Sequence, residues 1–359
     1  MAAPAAPGIQ PMNLPALLAK GINFDHIFNP YRDPKEPYTK EEQRDIASAI
    51  KEAEFSQVAG LGFTHIRLNL GQAFLQEPAP PFKVRPEGLE LLDRAVGLAG
   101  KHDLAVILDM HQIPVPDLAG DGAQLGAFRE LWRTLAERYK GLNRPVLFEL
   151  LNEPRVKNTD AWRAITVELI GDIRKIDPNR AIVVTGAEWG GMENLISLGN
   201  LKLPNLVYTF HFYEPFAFTH QGATWGDPGL ARLRGIRYPI DPAQMRMEAK
   251  RARTLGSAGW PFEEWMNGGG KEELRLRLNP VLEFGKKEGL VLYCGEFGVH
   301  KPYAPPADRA HWIADMRSLF EENGVGWGMW AYHSGFDLVE DDGKPVPAVI
   351  TALGLNQPK

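Results

Sequence analysis

The stretch Val146-Leu-Phe-Glu-Leu-Leu-Asn-Glu-Pro154 is an apolar run that ends at the glutamate Glu153. The stretch Leu290-Val-Leu-Tyr-Cys-Gly-Glu-Phe297 has the same character and ends beside Glu296. Runs of this length, rich in Val, Leu and aromatic residues, are typical of strands that are buried on both faces of a parallel sheet. Each run therefore predicts a strand that holds a glutamate at its carboxyl end.

Six more runs of this kind occur, which gives eight predicted strands: Gly21–Asp25, Thr64–Leu70, Ala105–His111, Val146–Glu153, Ala181–Gly186, Leu206–Tyr213, Leu290–Phe297 and Gly326–Tyr332. Apolar spacing of three and four predicts helices over Lys40–Val58, Glu87–Lys101, Leu125–Lys140, Asp160–Ile176, Glu272–Lys287 and Ala307–Glu322. This alternation predicts an α/β fold, a single-domain (β/α)₈ TIM barrel. The rival is a doubly wound open sheet, and the lack of a Gly-x-Gly-x-x-Gly turn after the first strand favours the barrel.

The predicted barrel takes up residues 16–359, and we expect residues 1–15 to form an N-terminal tail. Residues 216–270, between the sixth and seventh strands, are too many for a simple connection from a strand to a helix. This segment contains Trp225, Trp260 and Trp265. It therefore predicts an elaborated loop over the open end of the barrel.

The composition restricts the partners of the chain. The formal net charge is −5 and the pI is near 6.0, so nothing points to nucleic acid or an anionic membrane. A neutral polymer is a better match, and we expect the chain to act on it as a monomer. No apolar run is long enough to span a bilayer. Cys294 is the single cysteine, so an internal disulfide is impossible.

The first seven residues, Met-Ala-Ala-Pro-Ala-Ala-Pro, have neither the basic start nor the apolar centre of a signal peptide. Their Ala/Pro character resembles the segment that remains after a signal peptide is cleaved. We therefore expect a secreted or periplasmic protein whose signal peptide is absent from this sequence. A cytoplasmic location is the alternative.

Polar side chains stand where the carboxyl ends of the predicted strands meet, which is the face where barrel enzymes build their sites. They come from six of the eight strands: Arg67, Asp109, His111, Asn152, Glu153, His211, Tyr213, Glu296 and Trp330. Convergence of so many strands on one rim is hard to explain by packing alone. Two glutamates that face each other there are the groups that glycosidic bond hydrolysis needs, one as acid and one as nucleophile or base.

These motifs resemble glycoside hydrolase family 5, a family of retaining, cellulase-like (β/α)₈ barrels. Asn152-Glu153-Pro154 after an apolar strand carries the resemblance most strongly, and Gly295-Glu296-Phe297-Gly298 is next. The resemblance implies that Glu153 is the general acid/base and Glu296 the nucleophile, with the carboxyl groups about 5–5.5 Å apart. It also implies roles in binding substrate or supporting the site for six residues: Arg67, His111, Asn152, His211, Tyr213 and Trp330.

Residue types indicate how these groups would work together. Positive Arg67 and a hydrogen bond from Tyr213 would lower the pKa of Glu296 and keep it ionised. Glu149 shares a strand face with Glu153, and we expect it to be a buried partner of a cation such as Arg67 rather than a third catalyst. Trp189, after the fifth strand, is either a distal sugar platform or a packing residue.

Two other classes of function remain open. A metal-dependent barrel hydrolase lacks support, because no His-x-His opens a strand and no His-Glu-x-x-His is present; we expect no metal and no cofactor. A carbohydrate-binding barrel without activity would not need both glutamates. Family resemblance implies β-linked glucans, most often β-1,4-glucan, with β-mannan, xyloglucan, xylan and β-1,3-glucan as alternatives. We expect an endo-β-1,4-glucanase, although whether action is endo or exo depends on whether the loops over the cleft leave an open groove or a pocket.

Overall fold

The computed structural model describes residues 13–28, 31–115, 117–142, 145–254, 256–257 and 259–357. Within them, eight parallel strands pair in chain order and close into a barrel, with the last strand beside the first. The strands are β1 Lys20–Phe24, β2 His65–Gly71, β3 Ala105–Gln112, β4 Val146–Glu149, β5 Ile182–Thr185, β6 Leu206–His211, β7 Val291–Phe297 and β8 Gly326–Met329. The predicted (β/α)₈ barrel is confirmed.

Helices alternate with the strands along the chain. They are α1 Leu14–Leu17, α2 Lys40–Ala49, α3 Glu52–Leu61, α4 Gln72–Leu75, α5 Pro86–Lys101, α6 Gly122–Tyr139, α7 Thr159–Ile176, α8 Met192–Leu198, α9 Phe216–Thr219, α10 Pro242–Arg253, α11 Trp260–Glu263, α12 Lys271–Glu288, α13 Pro306–Glu322 and α14 Pro347–Ala352. Short 3₁₀ helices cover Leu118–Gly120 and Leu230–Arg232. In the described part of the chain, no helix is both long and apolar enough to cross a membrane.

One predicted helix is wrong: the structure divides Lys40–Val58 into α2 and α3. Ile50 ends α2 with an extended backbone (φ −78°, ψ 90°), and Lys51 precedes α3 with ψ 120°. Ile50 is only 1% exposed, so its side chain lies in the core at the break. Apolar spacing that continues across the break resembles one uninterrupted helix, which is why the pattern did not reveal it.

Some strands end earlier than the apolar runs that predicted them. β4 ends at Glu149, four residues before Glu153, and β6 and β8 are also shorter than predicted. The chain beyond β4 stays tied to the barrel by a bond from Asn152 N to Met110 O (2.9 Å). The side chains of this segment remain buried at the rim, so the apolar run in the sequence extends past the last residue that pairs with a neighbouring strand.

The inside of the barrel is divided into an apolar lower half and a polar upper half. In the lower half, α1 and the inward side chains of the strands form one apolar cluster: Leu14, Leu18, Ile107, Leu147, Ala181, Val183, Val207 and Tyr293. Two residues further along β3 and β4, the inward positions hold Asp109 and Glu149, both fully buried. The upper half therefore brings charge into the centre of the barrel.

Two glycines make room for large side chains in the lower half. A hydrogen bond of 2.8 Å joins His65 Nε2 to the Tyr293 hydroxyl, and burial lowers the pKa of His65 to about 3, so the ring is neutral. A Cβ at Gly21 would lie 2.1 Å from Nε2 of His65, and one at Gly328 would lie 2.4 Å from the Tyr293 hydroxyl. A larger residue at either position must displace this pair.

The chain between β6 and α12, residues 216–270, contains α9, α10 and α11, and we call it the β6 insertion. Glu214 anchors it to the barrel: Oε2 accepts a hydrogen bond from Trp265 Nε1 (3.2 Å), and the carbonyl accepts one from Trp312 Nε1 (2.9 Å). Ile240 and Gly269 form an antiparallel bridge within the insertion. The insertion therefore packs beside the carboxyl end of β6.

At the N-terminus, residues 1–12 of the predicted tail lie outside the described residues, and α1 begins at Leu14.

We expect Gly21→Ala to lower the free energy of unfolding by about 1–3 kcal/mol, because the added methyl group displaces the buried His65 ring. Gly171→Ala in α7 is the control, since a Cβ there meets no atom within 4 Å and should be neutral or stabilise by up to about 1 kcal/mol. Thermal unfolding followed by circular dichroism ranks the two variants. Equal midpoints would show that the His65 ring moves without cost.

Candidate active site

Arg67 lies at the centre of the polar upper half and is fully buried. Its guanidinium forms a bidentate pair with Glu149, with Nε–Oε2 at 2.6 Å and Nη2–Oε1 at 2.8 Å. Nη2 also lies 3.2 Å from Asp109 Oδ2, and Nη1 donates to Glu296 Oε1 at 2.9 Å. Burial alone would lower the pKa of Arg67, but the three carboxylates raise it well above its usual value. One permanent cation therefore holds three acidic groups.

Two of these acids are structural partners of the cation. Both oxygens of Glu149 bind Arg67, so the expectation that Glu149 is its buried partner is confirmed. Burial raises the pKa of Glu149. Burial also acts to raise the pKa of Asp109, but Arg67 and His111 lower it below its usual value. Asp109 Oδ2 lies 2.7 Å from His111 Nδ1, and its charge raises the pKa of His111 against the opposing effect of burial.

Glu296 reaches the cleft because β7 changes register. In a regular strand successive side chains alternate between the two faces, so Tyr293 and Gly295 would point inward and Glu296 outward. The pairing of β6 with β7 shifts at this point and sets His211 opposite Glu296, and the pairing of β7 with β8 shifts there too. Such an irregularity re-aims a side chain. The contact with Arg67 shows that Glu296 points inward.

Two donors hold the carboxylate of Glu296. Arg67 Nη1 binds Oε1 and the Tyr213 hydroxyl donates to Oε2, each at 2.9 Å. His211 Nδ1 lies 3.6 Å from Oε2. Burial acts to raise the pKa of Glu296, but the charges of His211 and Arg67 lower it below its usual value. Glu296 is therefore ionised at neutral pH, as a nucleophile must be.

Glu153 faces Glu296 from the segment that follows β4 and is more open to solvent, with 32% of its side chain exposed against 7% for Glu296. Its Oε1 lies 2.9 Å from His211 Nδ1. One polar atom from each of Glu153, His211 and Glu296 lies within 4.8 Å of the others. An oxygen of Glu153 and an oxygen of Glu296 can therefore lie within 4.8 Å of each other, which is compatible with the about 5–5.5 Å between the carboxyl groups of retaining glycosidases. The pair can therefore combine nucleophilic attack with proton transfer.

The same three groups are close enough to hold a metal ion. Their surroundings suit one poorly, because both oxygens of Glu296 already accept hydrogen bonds, from Arg67 and Tyr213. A permanent guanidinium charge 2.9 Å from Glu296 Oε1 would also repel a cation. The donor set therefore favours chemistry by the carboxylates themselves.

Asn152, His111 and Trp330 border this pair. Asn152 Oδ1 accepts a bond from Arg67 Nη2 (2.6 Å), and its Nδ2 lies 3.4 Å from His111 Nε2. The His111 ring stacks on Trp330, with centroids 5.3 Å apart and planes 18° from parallel. The Trp330–Ala331 peptide bond is cis. The structure thus gathers eight of the nine predicted site residues at one end of the barrel: Arg67, His111, Asn152, Glu153, His211, Tyr213, Glu296 and Trp330.

Trp189, the ninth predicted residue, lies further out on the rim. Its side chain is 56% exposed, which does not agree with a packing role. The guanidinium of Arg155 covers its ring, with Cζ 4.5 Å from the centroid. A platform for a distal sugar remains the prediction for this residue.

Sequence reasoning missed two asparagines that complete the centre. Asn23 Oδ1 accepts from Arg67 Nη1 (2.8 Å), while its Nδ2 donates to Gly295 O (3.0 Å). Asn69 Nδ2 donates to Asp109 Oδ2 (2.8 Å). Asn69 follows Arg67 by two residues, so strand alternation could have found it. Asn23 could have been found in the same way, as an inward residue of the first strand.

Two aromatic residues were missed for a different reason. The Tyr31 hydroxyl lies 3.3 Å from His111 Nε2, and its ring contacts Trp330 edge to face. His220 of the β6 insertion stacks on Phe216 and meets Tyr213 edge to face, with centroids 4.7 and 4.9 Å apart; burial lowers the pKa of His220 to about 3, so it is neutral. Both residues lie in irregular segments, where no sequence period predicts which side chains turn towards the site.

An ionised carboxylate and a second carboxyl group at the carboxyl end of a (β/α)₈ barrel are the arrangement that glycoside hydrolases of this fold use. Comparison with known families agrees: the model of the cellulase family, glycosyl hydrolase family 5, matches residues 38–335. The chain belongs to glycosyl hydrolase family 5. It is therefore an enzyme that acts on a polysaccharide.

Individual relatives support this assignment. Endoglucanase C of Acetivibrio thermocellus is 32% identical over 308 residues, which cover 83% of this chain and 88% of the relative. Cellodextrinase A of Ruminococcus flavefaciens is 28% identical over 287 residues, covering 77% of this chain and 76% of the relative. The structure of Thermotoga maritima Cel5A in complex with cellobiose is 27% identical, with a TM-score of 0.77 over 96% of this chain and 100% of that one.

We expect Tyr213→Phe to lower kcat/KM by about 10- to 100-fold, since a hydrogen bond to a charged group contributes about 1.5–3 kcal/mol. The acidic limb of the pH profile should move to higher pH, because loss of a donor to the ionised form raises the pKa of Glu296. The pH dependence of kcat/KM on an aryl β-cellobioside measures both effects.

The control is Tyr332→Phe, which removes a hydroxyl bound to Gln57 (2.8 Å). This change should leave the acidic limb in place. If Tyr213→Phe also left it in place, the Tyr213 hydroxyl would not help to keep Glu296 ionised.

Proposed function

We propose that this protein is a retaining endo-β-1,4-glucanase that works by double displacement, with Glu296 as nucleophile and Glu153 as general acid/base. The observation that carries the proposal is the asymmetry of the pair. Glu296 is buried and bound by Arg67 and Tyr213, whereas Glu153 is partly exposed and, among the described residues, bound by His211 alone. One carboxyl group is thus fixed as an anion, and the other is free to exchange a proton with substrate or water.

In the first step an oxygen of Glu296 attacks the anomeric carbon, and the bond from that carbon to the leaving oxygen breaks. Glu153 gives its proton to the leaving oxygen and becomes a carboxylate. In the second step this carboxylate takes a proton from water as the water oxygen attacks the same carbon. The ester bond breaks, Glu296 departs as the anion that Arg67 stabilises, and Glu153 is protonated again.

Neighbouring groups suit the sugar that is being cleaved. The amide nitrogen of Asn152 is free of Arg67, which binds only the amide oxygen. It can donate to the sugar 2-hydroxyl, an interaction that strengthens in the transition state. Trp330, held by the stacked ring of His111, supplies a flat apolar surface for the same sugar.

The proposed substrate rests on the relatives. Endoglucanase C is one of them, which favours β-1,4-glucan. Thermotoga maritima Cel5A has also been crystallised with mannotriose, at 26% identity and a TM-score of 0.77, so β-mannan is the second candidate. Initial rates on carboxymethylcellulose, mannan, laminarin and xylan separate these substrates. The highest rate on carboxymethylcellulose, with a rapid loss of viscosity, is the expected result; the highest rate on mannan would move the proposal to β-mannanase.

We further propose that the enzyme acts outside the cytoplasm as a monomer. Polysaccharides of this kind are too large to enter a cell intact, and the site described above is complete within one chain. Fractionation of the native host and light scattering of the purified protein test these two points. Activity confined to the cytoplasm, or a dimer at assay concentration, would contradict them.

Glu153→Ala should slow the hydrolysis of natural β-glucan by about 10²–10⁴-fold, because the leaving sugar oxygen then lacks an acid. A dinitrophenyl cellobioside leaves without that help, so its first step should stay comparatively fast. The second step should be slow without a base, and the glycosyl-enzyme should accumulate. Mass spectrometry of peptides should find the sugar on Glu296.

Glu296→Ala is the matched variant for this experiment. It should abolish retaining hydrolysis of both substrates and form no adduct, and added azide should restore turnover with inverted configuration. If Glu153→Ala slowed both substrates equally and no adduct appeared, Glu153 would not be the acid/base. Substantial retaining activity in Glu296→Ala would rule out Glu296 as the nucleophile.

Dialysis against EDTA should leave the rate unchanged, because the proposed mechanism uses only carboxylates. The test matters here because Glu153, His211 and Glu296 have the spacing of a metal site. The thermal midpoint is measured in parallel, so that a loss of stability is not mistaken for a loss of catalysis. A loss of activity that zinc or manganese specifically restores would replace the double displacement by a metal-dependent mechanism.

A further inference from the structure

Arg155 is a cation in the catalytic cleft that the mechanism above does not use. It follows Glu153 by two residues and is exposed, and both residues line one pocket of about 300 Å³, together with His111 and Tyr31. Within the described part of the chain, no carboxylate lies at ion-pair distance from Arg155, and its contact is the face of Trp189. Arg67, in contrast, has all its acidic partners inside the protein.

Trp189 is presented to the cleft by a strained turn. Glu188, Trp189 and Gly190 all have left-handed backbone conformations, with φ of 53°, 67° and 63°. Two consecutive non-glycine residues in this region are unfavourable, and strain of this kind points to a function when the surrounding structure fixes it. The turn leaves 56% of the Trp189 side chain exposed.

Backbone hydrogen bonds fix this turn relative to the catalytic groups. Trp189 N donates to Pro154 O at 3.0 Å, which ties the turn to the segment that carries Glu153. His211 N donates to Gly190 O at 3.1 Å, which ties it to the end of β6. The backbone of Trp189 is therefore fixed beside the segment that carries the proposed acid/base, and the Arg155 guanidinium lies over its indole ring.

This position is on the side of the leaving group. The acid must contact the leaving oxygen, so the leaving sugar lies beyond Glu153, away from Glu296. Trp330, which contacts the sugar on the other side of the bond, directly follows β8, whereas Arg155 and Trp189 follow β4 and β5, and these strands lie across the barrel from β8. We propose that Arg155 and Trp189 form the subsite for the leaving sugar, and that this subsite prefers a sugar that carries a carboxylate. The inference rests on the proposed function and specifies its substrate.

The chemistry of arginine supports the preference for an acid. The guanidinium lies over the ring of Trp189, and within the residues that the structure describes no acceptor binds its N–H groups. Their planar fork matches the two oxygens of a carboxylate, and such charge-assisted pairs are about twice as strong as bonds between neutral groups. The whole chain is negative, with a net charge of −5, so attraction for an acidic sugar must come from this local cation. A uronic acid in a glucan chain is the class of ligand that fits.

Two matched tetrasaccharides test the proposal. Both are β-1,4-linked glucose chains, but in one the last, reducing-end unit is glucuronate. The ratio of kcat/KM for release of that unit, acidic over neutral, is measured for each variant. Arg155→Gln should lower the ratio about fivefold, which is about 1 kcal/mol. Raising the salt concentration should lower the ratio for the wild type and not for Arg155→Gln.

Lys157→Gln is the charge-matched control, because Lys157 lies on the same segment and is exposed, but does not line the pocket. It should leave the ratio unchanged. An unchanged ratio in Arg155→Gln, or an equal loss on both substrates, would overturn the preference for an acidic sugar. Cleavage of neither tetrasaccharide by the wild type would overturn the proposed function itself, and the subsite with it.

Discussion

The guanidinium of Arg67 is the interaction on which the rest of the site depends. Buried carboxylates are costly unless a cation and hydrogen bonds compensate them, and here one cation contacts Asp109, Glu149 and Glu296 together. Its five N–H groups fix the directions from which these acids approach. The bidentate pair with Glu149 fixes the orientation of the guanidinium, and in this orientation Nη1 donates to Glu296. Removal of the cation would leave three buried carboxyl groups without the partner that they share.

The different surroundings of the two glutamates follow from this arrangement. Both carboxyl groups contact His211, but only Glu296 also contacts Arg67 and a phenol. The protein therefore distinguishes two identical side chains by their partners and by their access to water. The barrel brings these groups together because each lies on β2, β4, β6 or β7, or in the residues directly after one of these strands. Contacts at the rim, such as those of Trp189, come from the connections between strands and helices, which vary more freely than the strands.

The fold and most of the site could be predicted from the sequence, because both depend on local patterns. Buried strands appear as apolar runs, and the polar residue that ends such a run marks the rim. The break at Ile50 was missed because the apolar spacing continues through it. Tyr31 and His220 were missed because they lie in irregular segments. The inward turn of Glu296 is not visible in the sequence either, since alternation from Tyr293 would place this glutamate on the outer face.

That last feature matters for recognising related proteins. The chemistry of Glu296 depends on a shift in register between β7 and its neighbours, and the residues Gly295-Glu296-Phe297 do not themselves encode the shift. A homologue could keep this tripeptide but lack one residue of β7, so that the strand would pair with its neighbours without a shift in register. Its glutamate would then point into the helical layer, and the protein would be a pseudoenzyme with an intact motif. Genome surveys that infer activity from the motif alone would count such proteins as hydrolases, whereas inspection of strand pairing would separate them.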